Sequence, residues 1–124
     1  MNTPLLVAAL LTLFVAVGHS VVGERLILGP ILRDCELPPA MGSRDFTRRT
    51  LRAGWHLMSA FALGMGVILL EQARPDVVHS IHTVRHVSMT LLLSGVVLMV
   101  MTRGRHFAAI FFLLASGFAW MGSV

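Results

Sequence analysis

Four apolar runs, separated by polar segments of unequal length, organise this chain. They cover about residues 3–22, 53–70, 77–101 and 107–124. Each is close to the ~20 residues that a helix needs to cross ~30 Å of hydrocarbon. None alternates apolar and polar positions as a barrel strand would, and in lipid only helices or closed barrels satisfy the backbone. The pattern predicts an all-α protein, a transmembrane antiparallel four-helix bundle, with a single membrane domain over residues 1–124 and a polar connector over about 23–52. The first run has no basic residue before it and no clear cleavage site after it, which predicts a retained span and not a removed signal.

Inside the runs, small residues recur at every fourth position. Ala8, Thr12, Ala16 and Ser20 form one such row, Ala60/Gly64 and Ala62/Gly66 two more, and Ala115/Ala119 another. Small residues at this spacing let helix backbones approach closely where lipid supplies no hydrophobic contrast. The rows fit closure of the bundle, and equally self-association or docking on another membrane protein. In the connector, Gly29-Pro30 and Pro38-Pro39 are expected to break helix. Ser43 is expected to cap a new one, with Asp45 favourable at its positive end.

Composition supports lipid as the main solvent. Hydrophobic residues make up 56% of the 124 positions and charged residues only 13%, against about a quarter in soluble domains. The net charge is +4 and all ten basic residues are Arg. They gather at the ends of apolar runs, which argues for topology-setting charge and against a nucleic-acid partner. Arg25, Arg33, Arg44, Arg48, Arg49 and Arg52 lie in the long connector, and Arg103 and Arg105 between the third and fourth runs. The positive-inside rule then puts both connectors in the cytoplasm and both termini in the periplasm of a bacterial inner membrane. Cys35 is the only cysteine, so no intrachain disulfide chemistry is possible. The eight Met read as adaptable packing, and Trp55 and Trp120 as interfacial anchors.

Histidine supplies the candidate chemistry, because polar side chains in a bilayer are costly and mark ligands, ion paths or proton relays. His19 and His56 lie at similar distances from the connector ends of the first two runs. On antiparallel helices they should reach one depth. There they could bind an ion, ligate haem b from its two faces, or bond to Ser20, Ser59 or a carbonyl and fasten the helices together. His79, His82 and His86 fall within an arc of about 60° on one helix face. The i, i+4 spacing of His82 and His86 is one by which two imidazoles grip a transition metal. The competing reading leaves the outer end of this helix in water and its histidines as polar surface. Arg85 needs a carboxylate, a carbonyl, a headgroup or an anionic ligand, with Glu71 or Asp76 as possible counter-ions. His106 is expected at the membrane edge. Glu24 is expected to make a structural pair with Arg52.

The segments His19-Ser-Val-Val-Gly-Glu-Arg-Leu-Ile-Leu-Gly-Pro-Ile-Leu and Arg48-Arg-Thr-Leu-Arg-Ala-Gly-Trp-His56 resemble a group of small bacterial four-span membrane proteins. The resemblance covers about the first half of the chain and implies fold and location, not an activity. No nucleophile–base–orienter set is visible, so the residues do not define an enzyme. They leave three functions open: a metal- or haem-binding protein for electron transfer, a proton- or cation-coupled carrier, and an accessory membrane subunit.

Overall fold

Asn2 starts the first helix by accepting the Leu5 amide on its side chain at 3.2 Å. Pro4 sits in the first turn, where its missing N–H has no partner to lose. Helix α1 then runs over Thr3–Gly23 and does not stop at the polar connector. A π-helical turn over Glu24–Leu28 carries it into α2, Gly29–Asp34, giving one rod of 32 residues. The Gly29-Pro30 pair, expected to break the helix, is absorbed instead. The Gly29 amide donates to the Glu24 carbonyl five residues back, and Pro30 stands in the first turn of α2, where an N–H is dispensable. A Cβ at position 29 would lie 2.9 Å from that carbonyl oxygen, so the turn depends on glycine.

The computed structural model describes residues 1–78 and 80–124. Pro38-Pro39 falls in the irregular segment before α3, Arg44–Gln72. Ser43 caps α3 as expected, accepting the Phe46 amide at 3.3 Å, with Asp45 in the first turn. Helix α4 spans Ile81–Met101 and begins later than the apolar run, because Ser80 takes the cap position and accepts the Thr83 amide. Helix α5 covers Phe107–Gly122. Thr3–Asp34, Arg44–Gln72 and Ile81–Met101 are each long and apolar enough to cross a membrane. The 16 residues of α5 extend about 24 Å at 1.5 Å per residue.

The bundle is all-α and its four rods alternate in direction. The α1 rod packs against α3 and α5, and α4 packs against α5, while α3 and α4 barely meet. At the end holding both termini, Asn2 donates its amide to the Ala73 carbonyl and its side-chain nitrogen to the Gly122 carbonyl, each at 2.9 Å. Leu5, Leu69, Val84, Leu91 and Ala119 are buried in one cluster in this half. Ser88 and Ser116 meet inside it, with Ser88 Oγ donating to the Ser116 carbonyl at 2.9 Å.

The small-residue rows sort themselves by face. Ala8, Thr12, Ala16, Ala62, Gly66, Ala115 and Ala119 are buried, whereas Ala60 and Gly64 face outward. A Cβ on Gly66 would lie 2.7 Å from the Leu13 side chain, and one on Gly64 would meet nothing within 4 Å. Of the two rows on the second run, only Ala62/Gly66 closes the bundle. A tight turn ends α4: the Gly104 amide donates to the Met99 carbonyl at 2.8 Å, with Arg103 and Gly104 both at positive φ. Thr102 Oγ accepts the His106 amide at 3.2 Å, which sets His106 at the cap position of α5.

Candidate functional site

Since α3 and α4 hardly touch, the half of the bundle near the connectors opens between them. The opening is a cleft of about 520 Å³. Met58 and Met65 of α3 and Leu93 and Val97 of α4 form its walls, over a floor of Ala16 from α1 and Phe112 from α5. The polar lining is small: His19, Ser59, Ser94 and His106. His106 Nδ1 is buried and has no hydrogen-bond partner among the described residues. Its ring lies beside that of Phe107, with centroids 5.9 Å apart and planes 19° from parallel.

Next to the cleft, α1 and α3 are fastened by two reciprocal rungs. His19 Nδ1 lies 2.8 Å from Ser59 Oγ, and His56 Nδ1 lies 2.7 Å from Ser20 Oγ. The two histidines share one depth, as antiparallel geometry requires. Trp55 locks the seam between them. Its indole stacks on His19 with centroids 4.3 Å apart, and its Nε1 donates to the His19 carbonyl at 2.9 Å. A Cβ on Gly23 would lie 2.5 Å from the Trp55 ring, so glycine is what lets this ring in. The pair therefore sits in its fastening arrangement, one of the readings open to it.

At the edge of the seam, Arg52 Nε donates to Glu24 Oε1 at 2.9 Å, the structural pair expected from the sequence. His56 Nε2 stands 3.4 Å from Glu24 Oε2, a buried oxygen that has no hydrogen-bond partner among the described residues. Glu24 thus belongs to the His56 side of the seam.

The histidines of α4 lie elsewhere. His82 and His86 are exposed, and His86 donates from Nδ1 to the His82 carbonyl at 2.7 Å. The third member of the predicted stripe, His79, lies outside the described residues. Among the described residues, no group of three or more His, Cys, Asp and Glu side chains is placed to share a metal ion. Glu71 and Asp76, named above as possible counter-ions of Arg85, are held by Arg74 at 3.5 and 2.7 Å. Arg85 lies over the Trp120 ring, 5.2 Å from its centroid.

Two site residues escape the sequence reading. Trp55 is a seam residue and not only an anchor, and His106 lines the cleft and does not merely mark the membrane edge. A signal for His106 was available. Gly104 predicts a tight return after α4, and a tight return keeps His106, just before the fourth run, at the connector end of the bundle with His19 and His56.

Fold and hydropathy together define an integral membrane protein of the helical-bundle class. Comparison with protein-family models, with curated proteins and with solved structures gives no match to this chain.

Proposed function

We propose that this protein takes an amphipathic molecule from the bilayer into the α3–α4 cleft and holds its polar end with His19 and His106. The observation carrying the reading is that His106, whose Nδ1 is buried without a partner among the described residues, is one of the residues lining that cleft. A buried polar atom left unpaired costs about 1–3 kcal/mol, which a hydrogen-bonding ligand would recover. His19 has Nδ1 committed to Ser59, leaving Nε2 for a ligand. The volume of about 520 Å³ falls in the range of small-molecule sites, roughly 300–1,000 Å³, which are mostly apolar with a few placed polar groups. The cleft has that composition, and its mouth lies along helices that lipid surrounds.

Imidazole nitrogen also ligates haem iron and transition metals, so the test must separate three occupants. The full-length protein is purified in a mild detergent, its absorption spectrum and metal content are recorded, and organic extracts are analysed by mass spectrometry. The expected result is a copurifying amphipathic molecule at near one equivalent, reduced at least tenfold in His106→Ala. A Soret band or one equivalent of metal would replace this reading with a haem or metal protein. An empty, folded protein would leave the histidines a fastening role alone.

The location proposed with this function is the bacterial inner membrane, with the Arg-rich connectors cytoplasmic and both termini periplasmic. The distribution of Arg and the resemblance to small bacterial four-span proteins support it.

A further inference from the structure

Arg85 is a charge that topology does not explain. The other Arg residues are in the two connectors, apart from Arg74, which is paired with Glu71 and Asp76 at the end of the bundle holding the termini. Arg85 is at that same end, four residues inside α4, hence about 6 Å along the helix axis from its first residue. It makes no ion pair with a described residue. Instead Trp120, two residues before the end of α5, holds it by a cation–π contact at 5.2 Å. Both groups therefore sit where hydrocarbon meets headgroups.

Below them a second, shallower groove runs between α4 and α5 toward the middle of the membrane, with a volume of about 400 Å³. Met89 and Leu92 line one side, and Leu113, Gly117 and Trp120 the other. At Gly117 a Cβ would meet nothing within 4 Å, so this side of the groove faces open space. The lining is mostly apolar, as an acyl chain requires: its two polar members, Ser88 and Ser116, are bonded to each other, and the charge beside it is the Arg85 guanidinium over the Trp120 ring.

We propose that this groove binds an anionic phospholipid, with one acyl chain along Met89, Leu92 and Leu113 and the phosphate on the Arg85 guanidinium. Trp120 pins the guanidinium over the groove, so little side-chain freedom remains to be lost on binding. An anionic headgroup balances the charge that no described carboxylate balances. A zwitterionic lipid offers the same phosphate but adds an ammonium group, and the nearby carboxylates that could accept one, Glu71 and Asp76, are taken by Arg74. Selectivity then follows from net charge, and the site is independent of the α3–α4 cleft.

Trp120 reports on its own groove. The full chain is reconstituted in phosphatidylcholine vesicles with increasing fractions of phosphatidylglycerol or phosphatidylcholine brominated in the acyl chain. The Trp120 signal is the wild-type fluorescence minus that of Trp120→Phe. Brominated phosphatidylglycerol is expected to quench it at about one-fifth the mole fraction needed for brominated phosphatidylcholine, the weight of one basic residue beside an anionic headgroup. In Arg85→Gln the two lipids should quench alike, with helix content by circular dichroism unchanged. Equal quenching in the wild type, or a preference that survives Arg85→Gln, would overturn the proposal. So would a Trp120 signal that neither lipid quenches, which would mean that protein covers the groove.

Discussion

The two halves of this bundle use similar residues to opposite ends. In the half holding the termini, Leu5, Leu69, Val84 and Leu91 fill the space between all four rods, and the described histidines, His82 and His86, are turned outward. In the half near the connectors, α3 and α4 part, the space between them stays open, and His19 and His106 line it. In the closed half the inward polar groups are the small hydroxyls of Ser88 and Ser116, and the larger imidazoles of His82 and His86 lie outside. In the open half small side chains, here Ala16 and Ala62, leave room for polar groups to meet inside. A histidine in an apolar run is thus not a site by virtue of its depth. Its fate depends on what fills the bundle at its level.

The largest test of this contrast compares two leucines on α4. Leu91 is fully buried in the closed half, and Leu93, 65% exposed, borders the cleft. Leu91→Ala should lower stability by about 2 kcal/mol. This is less than in a soluble core, because in lipid the loss comes from the cavity and its lost contacts and not from transfer out of water. Leu93→Ala should cost less than about 0.5 kcal/mol, since it only widens a space that already exists. Thermal or sodium dodecyl sulfate denaturation in detergent reads both. Equal losses would show that the connector half is packed shut in solution and that the cleft does not persist.

The second test compares histidines. Removing His19 strips a hydrogen bond from the buried Ser59 hydroxyl and the stacking partner from Trp55. His19→Ala should therefore cost about 1–2 kcal/mol. His86→Ala removes only a bond to a carbonyl of its own helix on an exposed face, and should stay within about 0.5 kcal/mol. The same denaturation measurement applies. A His86 effect as large as that of His19 would mean that the outer face of α4 is covered by a partner or holds an ion.

How far the sequence reached follows the same division. The number of helices, their direction and the shared depth of His19 and His56 were legible, because hydropathy length and antiparallel geometry fix them. So was the Glu24–Arg52 pair, because both residues flank the same membrane edge. The stripe on α4 was legible as a stripe, but periodicity says which residues share a face, not which way the face points. Val84, Val87 and Leu91 decide that by taking the inward positions of α4 themselves. For the same reason the two small-residue rows of α3 looked alike, and only Leu13 across the interface separates Gly66 from Gly64. The continuation of α1 through Gly29-Pro30 was not legible, since a π-helical turn changes which carbonyl each amide reaches and proline's missing donor then costs nothing.

The smallest expected effect extends the comparison from histidines to carboxylates. Glu24 is held between two helices by Arg52, whose partner atoms are 28 residues apart in sequence, while Asp76 is held by Arg74 two residues away in an exposed loop. The Arg74 guanidinium hydrogen-bonds the Asp76 carboxylate and holds its pKa below the ordinary value. A depressed carboxyl in the folded state stabilises the fold above the pKa of the unfolded chain, and that stabilisation is lost as pH falls through the lower, folded value. The sign is therefore a loss on acidification, beginning below about pH 4. Its size is small, because the pair is local and fully solvated, and such pairs survive only partly in water. A carbon-13 titration of the Asp76 carboxyl in micelles should show the depressed midpoint, returning to the ordinary range in Arg74→Gln, while the melting temperatures of the two proteins at pH 7 stay indistinguishable. A clear melting difference at pH 7 would mean that the end holding the termini depends on this loop as the other end depends on its seam, and the asymmetry between the halves would then belong to their cores alone and not to their charges.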